Sequence, residues 1–407
     1  MKARKLAYQV LCKIVIDGKY ANLLMREDLK NLDRNTSGFI TNIVYEVLRK
    51  YAYLHSLYSD VVKNKLDVKD EILLNMAVYE LEYLKNEDYG VVNDYVAIAS
   101  KKSFINAVLR NYLRNEKRQY DLNKLSDAAL FYSIDLWILK LWTAHYGRQT
   151  ALKIAESLQE IPQVTYCLNT LKASFADLAT YDIKQIDKTA FLSSENLIYT
   201  KEFKLGYFIV QDYSAQQVVN FLDLKDNLKV LDVCAAPGSK TSQIAMMMHN
   251  TGEIVANDIN IKRVNLIKNL ANKLGITNLK TICKDGTNLN LESKFDRILL
   301  DVPCSGLGVL RKKPDIKLRL LPENLDEIVQ IQKHLLESAI QYLTTDGVLV
   351  YSTCTLNKKE NENQIANFIK SHPDFVLLAE KTIMPFDFQS DGFYMAKLKR
   401  VTYENNI

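Results

Sequence analysis

Residues 228–240 read LKVLDVCAAPGSK, and the fold turns on this stretch. A short apolar run, Val230-Leu231-Asp232-Val233, ends in a loop of small residues from Cys234 to Ser239. Lys240 to Met248 then has helical composition. A strand, a small-residue loop and a helix in that order bring backbone N–H groups and the positive end of a helix close to a ligand. Small side chains let that ligand approach the main chain. The loop lacks the G-x-G-x-x-G form that a nicotinamide-dependent oxidoreductase would prefer.

Downstream, short β-type runs at 228–233, 253–257, 279–283, 295–301, 346–352, 375–379 and 393–398 alternate with helical patterns at 239–249, 260–274, 323–344 and 360–371. This alternation predicts an α/β fold, a mostly parallel sheet covered on both faces. The run 393–398 follows its predecessor without a helix and is expected to be an antiparallel hairpin partner. Three strand ends carry acids: Asp258, Asp285 and Asp301. Ligands of open α/β sheets bind at that edge, where Asp258 suits the hydroxyls of a ribose and Asp285 the amino group of an adenine.

Upstream, residues 1–130 predict an all-helical domain of about five to seven helices, with apolar residues three and four apart (Ala7, Val10, Leu11, Ile14; Ile72, Leu73, Met76, Ala77). Breaks are expected at Asp17-Gly18, Asp33 to Gly38 and Asp88 to Gly90. Arg49-Lys50, Lys101-Lys102, Arg110, Arg114 and Lys117-Arg118 sit at helix ends. They form either a solvated face or an RNA-contacting one. Residues 131–225 predict a small mixed α/β module. It has helices through Tyr146 and over Ala151 to Leu158, then β-like runs at Val164 to Leu168 and Leu197 to Tyr199. Trp137 and Trp142, at helical spacing among Leu and Ile, belong to a core. Asp212 or Ser214 is expected to cap a helix reaching Leu222. The catalytic domain is expected over 226–400.

The 407 residues are too many for one ordinary core. The net charge of +5 is compatible with nucleic acid without demanding it. No stretch approaches the roughly 20 apolar residues of a membrane span, and the start reads as an amphipathic helix and not a signal peptide. A cytoplasmic monomer with no membrane association is expected. The six cysteines include no C-x-x-C pair, so no metal is expected. In a reducing compartment those that matter act as nucleophiles or bases.

Two cysteines stand apart. Asp301-Val302-Pro303-Cys304-Ser305-Gly306 follows one strand, and Tyr351-Ser352-Thr353-Cys354-Thr355 follows the next. Successive parallel strands are usually neighbours, which places Cys304 and Cys354 over one pocket beside Asp301. A lone free Cys is most often a buried small hydrophobe; this pair beside a carboxylate and a nucleotide-type loop is not. Methylation of a pyrimidine at C5 needs such a set. A thiolate adding at C6 makes C5 nucleophilic, an acid at N3 supports the developing charge, and a second group removes the C5 proton. These considerations do not choose which cysteine is the nucleophile.

CAAPGSK, DVPCSGLGVLRKKPDI, STCT followed by Glu360-Asn361-Glu362-Asn363, and DGFYMAKL together resemble the RNA cytosine-5 methyltransferases of the RsmB/Sun type over about residues 205–400. Tyr45 to Arg49 and Phe104 to Arg110 resemble the NusB-like helical domain that precedes the catalytic domain in part of that family. The resemblance implies a Rossmann-like class I methyltransferase domain with a seven-stranded sheet, S-adenosylmethionine as cofactor, and a cytosine of 16S ribosomal RNA, in an unpaired loop, as target. It implies Cys354 as the nucleophile, Cys304 for proton removal and product release, and Asp301 for contact with N3. It also implies cofactor contacts from Cys234, Ala235, Ala236, Pro237, Gly238, Ser239, Lys240, Asp258, Asp285 and Asp301. Where the family has Gly-Gly-Lys this chain has Gly238-Ser239-Lys240, so a side chain at 239 matters if that position needs a positive φ. Where the family has an arginine this chain has Cys167. Cys12, Cys167 and Cys283 are expected to be structural, and Cys234 to be small packing. Arg311, Lys312, Lys313 and Asp315 either order RNA or form a solvated charge run. A transfer-RNA methyltransferase and a non-catalytic NusB-like RNA-binding factor are the alternatives.

Overall fold

The structure is a computed structural model that describes residues 1–62, 65–84 and 86–401. It divides into two compact units. The first is Met1–Glu160 together with Leu310–Leu320; the second is Ile161–Val309, resumed at Leu321.

The first unit is helical. Helices run over Lys2–Val15, Ala21–Asp28, Arg34–Arg49, Tyr51–Tyr58, Val68–Tyr83, Asp88–Ile98 and Lys102–Arg114. Lys2–Val15 buries its Ala7, Val10, Leu11 and Ile14 stripe, while Val68–Tyr83 is buried along nearly all of Ile72 to Glu80 and forms the centre of the bundle. Asp33 caps Arg34–Arg49 by accepting from the N–H groups of Asn35 (3.0 Å) and Thr36 (2.9 Å). The expected break at Asp88 to Gly90 is instead the first turn of a helix. Helical structure continues past residue 130, through Leu136–Tyr146 and Arg148–Ser157, and these stay in the first unit. Trp142 is fully buried and Trp137 half-buried. Arg49 is buried and Lys50 half-buried, so that pair is not a surface feature, whereas Lys101, Lys102 and Arg114 are exposed.

The second unit holds two sheets. The smaller joins β1 (Thr165–Leu168), β2 (Ile183–Gln185), β3 (Ala190–Ser193) and β4 (Phe208–Val210) in the antiparallel order β2-β3-β1-β4. Leu197–Tyr199 is a 3₁₀ turn and not a strand: Asn196 accepts from the Ile198 N–H and starts a helical turn in its place. Asp212, not Ser214, caps the helix Tyr213–Asn220, accepting from the Ser214 N–H at 2.9 Å.

The larger sheet joins β5 (Lys229–Asp232), β6 (Glu253–Asn257), β7 (Leu279–Ile282), β8 (Phe295–Asp301), β9 (Leu343–Thr353), β10 (Phe375–Ile383) and β11 (Phe393–Arg400), in the order β10-β11-β9-β8-β5-β6-β7. β11 is antiparallel to β10 and β9 and lies between them; β9, β8, β5, β6 and β7 pair in parallel. On one face Leu231, Ile298, Leu300, Leu349 and Tyr351 pack against Leu335, Leu336 and Ala339 of the helix Asn324–Ala339 and Phe368 of Glu362–Ser371. On the other, Ala235 and Ala256 meet Ile267 of the helix Ile261–Leu274. The chain crosses from β5 to β6 on one side of the sheet's origin and to β8 on the other, so the C-terminal ends of these strands flank a switch point, where ligands of such sheets bind. Among the described residues no helix is long and apolar enough to cross a membrane.

Candidate active site

β5 ends at Asp232, which is fully buried. One of its oxygens, Oδ2, accepts from the Thr241 hydroxyl at 2.7 Å, while Oδ1 is buried with no hydrogen-bond partner. Burial drives its carboxyl up to about 7, with the nearby Asp301 and Asp258 charges adding to the rise. The loop beyond is tied to the next strand, since Ala235 N–H donates to the Asn257 carbonyl at 2.8 Å. Asn257 in turn donates to the carbonyls of Val233 and Lys284, both at 3.0 Å.

Gly238 has φ +104°, and a Cβ there would lie 3.2 Å from the Ile267 backbone. The positive φ therefore falls on Gly238, and Ser239 is the first helical residue with an ordinary backbone. The serine in place of glycine costs the loop nothing in conformation.

Lys240 projects from the start of that helix to Asp301 at the end of β8, with Nζ donating to Oδ2 at 2.6 Å. Burial works against the Lys240 charge, but the Asp301 carboxylate and its hydrogen bond outweigh it and raise the lysine overall. The other Asp301 oxygen accepts from the Ser352 hydroxyl at 2.8 Å. Asp301 and Ser352 are partners in the β8–β9 register, so the sheet itself aligns the two strand ends.

That alignment brings the sulfurs together. Cys304 Sγ lies 3.1 Å from Cys354 Sγ, and the Cys354 N–H points to the Cys304 sulfur at 3.3 Å. Both are free thiols and partly accessible. The Cys304 thiol is pushed well above its ordinary value by its hydrogen bond to Cys354, then by burial, then by the charges of Cys354 and Glu360. The two loops are stitched by glycines: Gly308 N–H donates to the Cys354 carbonyl at 3.0 Å, and Gly392 N–H donates to the Gly308 carbonyl at 2.8 Å. A Cβ on Gly308 would fall 2.1 Å from the Gly392 oxygen, so only glycine fits.

The other expected residues lie as follows. Asp258 is buried, accepts from the Asn260 N–H at 3.0 Å and pairs with Arg263 at 3.4 Å. Asp285 is exposed, and one oxygen accepts from the N–H and hydroxyl of Thr287, which holds its carboxyl below the usual range. Cys167 is buried on β1 and contacts no solvent, and Cys12 is half-buried. Cys283 is exposed, so packing does not account for it. Arg311 and Asp315 are buried in the helical unit, so neither a solvated charge run nor an RNA-facing loop describes them.

Residues 219–399 match the family model for 16S rRNA methyltransferase RsmB/F, and residues 1–114 match that of the NusB family. A Bacillus subtilis (strain 168) protein named probable ribosomal RNA small subunit methyltransferase B is 31% identical over 439 aligned residues, covering 98% of this chain and 98% of its own length.

The chain belongs to the RsmB/F family.

The fold agrees. The crystal structure of PH0851 matches with a TM-score of 0.82 at 22% identity, over 98% of this chain and 99% of that one. A methyltransferase homolog protein from Pyrococcus horikoshii matches with a TM-score of 0.62 at 26% identity, over 68% of this chain and 99% of that one. As an RsmB/F methyltransferase, the chain contains site groups that its motifs alone did not single out. Asp232 was hidden as an ordinary β-strand terminus. Ser352 was hidden as the residue before Thr353, although the Ser-Thr-Cys-Thr spelling carried it. Glu360 opens the Glu360–Asn363 run of the RsmB/F signature, and a single acid in a polar run gives no sign of burial.

Proposed function

We propose that this methyltransferase transfers a methyl group from S-adenosylmethionine to C5 of a cytosine in 16S ribosomal RNA, through a transient bond between Cys354 and C6. The 3.1 Å approach of the two sulfurs beside the Asp301–Lys240 pair carries the reading. The residues at the end of β5 suit the cofactor. Asp232 Oδ1 is a buried acceptor without a donor, as a bound ammonium requires. Ala235, Ala236 and Pro237 keep the loop low, Cys234 and Ser239 flank it, and Asp258 and Asp285 follow at the next strand ends. When bound, the sulfonium supplies an electrophilic methyl group.

The chain's own residues do the rest. The Cys354 sulfur adds to C6 and the ring's electron density moves toward C5, which takes the methyl group. Asp301, held by Lys240 and Ser352, would face N3 and relay a proton from the Lys240 ammonium to it as the ring becomes negative, taking it back when the Cys354 thiolate leaves. With Cys354 bonded to C6, its charge and hydrogen bond no longer hold the Cys304 proton, which leaves to solvent; the Cys304 thiolate then takes the C5 proton as the Cys354–C6 bond breaks and the C5–C6 double bond re-forms. A base can enter such a site only out of its stack, which favours an unpaired loop as target. The NusB-like helices would hold flanking RNA by its phosphates, with salt-sensitive affinity.

Bisulfite sequencing of ribosomal and transfer RNA from a deletion strain tests the substrate. Loss of one 16S position is expected; loss confined to transfer RNA would move the activity there. Purified Cys304→Ala, mixed with 16S RNA and cofactor, should accumulate an RNA adduct stable to SDS. No adduct from a variant that still binds S-adenosylmethionine would remove Cys304 from the release step. Failure of the unmodified protein to bind the cofactor by calorimetry would favour an RNA-binding factor without catalysis.

A further inference from the structure

Behind the two cysteines lies Glu360, which is fully buried. Among the described residues no cation pairs with it. Oε2 accepts from the Ser305 N–H and from Gln332 Nε2, both at 2.9 Å. Oε1 accepts from the Ser305 hydroxyl at 2.5 Å and from Asn357 Nδ2 at 3.0 Å. Three of these partners, the Ser305 N–H and the amide nitrogens of Gln332 and Asn357, can only donate, so the surroundings suit an ionised carboxylate, its desolvation met by hydrogen bonds.

Its partners adjoin the sulfurs in sequence. Ser305 follows Cys304 and Thr355 follows Cys354. With the Ser305 hydroxyl committed to Glu360, the Thr355 hydroxyl donates to Ser305 Oγ at 2.7 Å. Tyr351, on β9, donates to the Glu360 carbonyl at 2.7 Å. One carboxylate thus clasps both loops.

Deepening the proposed function, and resting on it, we propose that Glu360 is a positioning residue of the two-cysteine centre. It holds the Pro-Cys and Thr-Cys loops in mutual register, and its charge keeps the proton of the pair on Cys304, leaving the free thiolate to Cys354. Besides Glu360, the titratable groups that act on Cys304 are Cys354 across the pocket and Tyr351 on β9, while Lys240, paired with Asp301, acts on Cys354. Glu360 is the fixed anion on the Cys304 side of the pair. Lys240 interacts with Cys354, so the two ends of the sulfur pair see opposite charges. The difference matters because the two cysteines are chemically identical and only their surroundings can give them separate tasks.

Iodoacetamide alkylation of the full chain, mapped by mass at each cysteine as pH is raised, tests this. In the unmodified protein Cys354 should be alkylated first and Cys304 only at distinctly higher pH. Glu360→Gln should lower the onset for Cys304 by about one pH unit. Glu360→Asp, which keeps the charge but shortens the reach, should leave that onset near its original place while lowering the melting temperature. An unchanged Cys304 onset in a folded Glu360→Gln variant, or equal shifts in both variants, would overturn the proposal. Should Glu360→Gln not fold, the unmodified protein still decides: alkylation of Cys304 before Cys354 refutes it. No methylation is measured, so a chain that alkylates as expected but modifies no ribosomal RNA would refute the proposed function and not this role.

Discussion

Around the cysteines the buried charge is negative. Glu360, Asp232 and the partly exposed Asp301 are met by hydroxyl, amide and lysine donors. In the helical unit one cluster of cations, Arg49, Arg311 and Lys317, lies instead among backbone carbonyls. Lys317 donates to the carbonyls of Arg49 (2.8 Å) and Ser133 (2.6 Å), and Arg49 donates to the Arg311 carbonyl at 2.8 Å. Arg49 ends the helix Arg34–Arg49, so Lys317 caps a helix C-terminus from inside. The first cluster sets where protons sit among groups open to a substrate. The second satisfies orphan carbonyls and fixes a segment of chain. Buried charge alone therefore does not mark a reactive site; what marks it here is a nucleophile within reach of the charge.

The largest test of that contrast is Cys354→Ala. Methylation should fall by about 10⁴-fold or more while cofactor affinity, read by calorimetry, is kept. Full activity would hand the nucleophile's role to another group.

Next is Lys317, whose ammonium burial pulls down to about 7, against partial support from Asp135. Between about pH 7 and the ordinary lysine value, the unfolded chain binds a proton that the folded chain does not. Stability therefore rises with pH across that window, by as much as about 4 kcal/mol up to pH 10. Burial likewise lowers Lys50, to about 8, and gives a slope of the same sign. Lys317→Met should flatten the urea-unfolding slope and leave cofactor affinity unchanged; an unaltered slope would deny the burial of charge there.

Gly238→Ala should weaken cofactor binding about 10- to 100-fold, since φ +104° and the Ile267 contact together cost about 1–3 kcal/mol. Smaller again is the pH effect at Asp232. Its folded value, about 7, lies above the ordinary one, so below pH 7 it carries a proton and its oxygens serve an ammonium poorly. Affinity for S-adenosylmethionine should rise up to about tenfold per pH unit below that point and level off above it. Asp232→Asn should abolish the trend, and a trend that survives would place the titration elsewhere.

The strands of the large sheet were legible because parallel strands buried on both faces read as short apolar runs, such as Ile298-Leu299-Leu300. The cysteine pair was legible because two similar loops end two successive strands. Leu197–Tyr199 was misread because Leu-Ile-Tyr has strand composition, while the capping Asn196 decides the turn. Arg311 and Asp315 were misread because a charge run carries no sign of the carbonyls and helix ends waiting for it. The helices at 136–157 were seen as helices, but which unit they join depends on packing between distant segments, such as the helix Leu125–Phe131 against Tyr51–Tyr58.

The excursion Leu310–Leu320 leaves the sulfur-bearing loop, lodges among the first unit's helices and returns. Neither unit is thus a continuous length of polypeptide. A gene fragment ending at residue 160 would leave the Arg49 and Ser133 carbonyls uncapped, and one beginning at 161 would carry an unhoused cationic plug. Swapping the front half between relatives would require transplanting this eleven-residue insert with it.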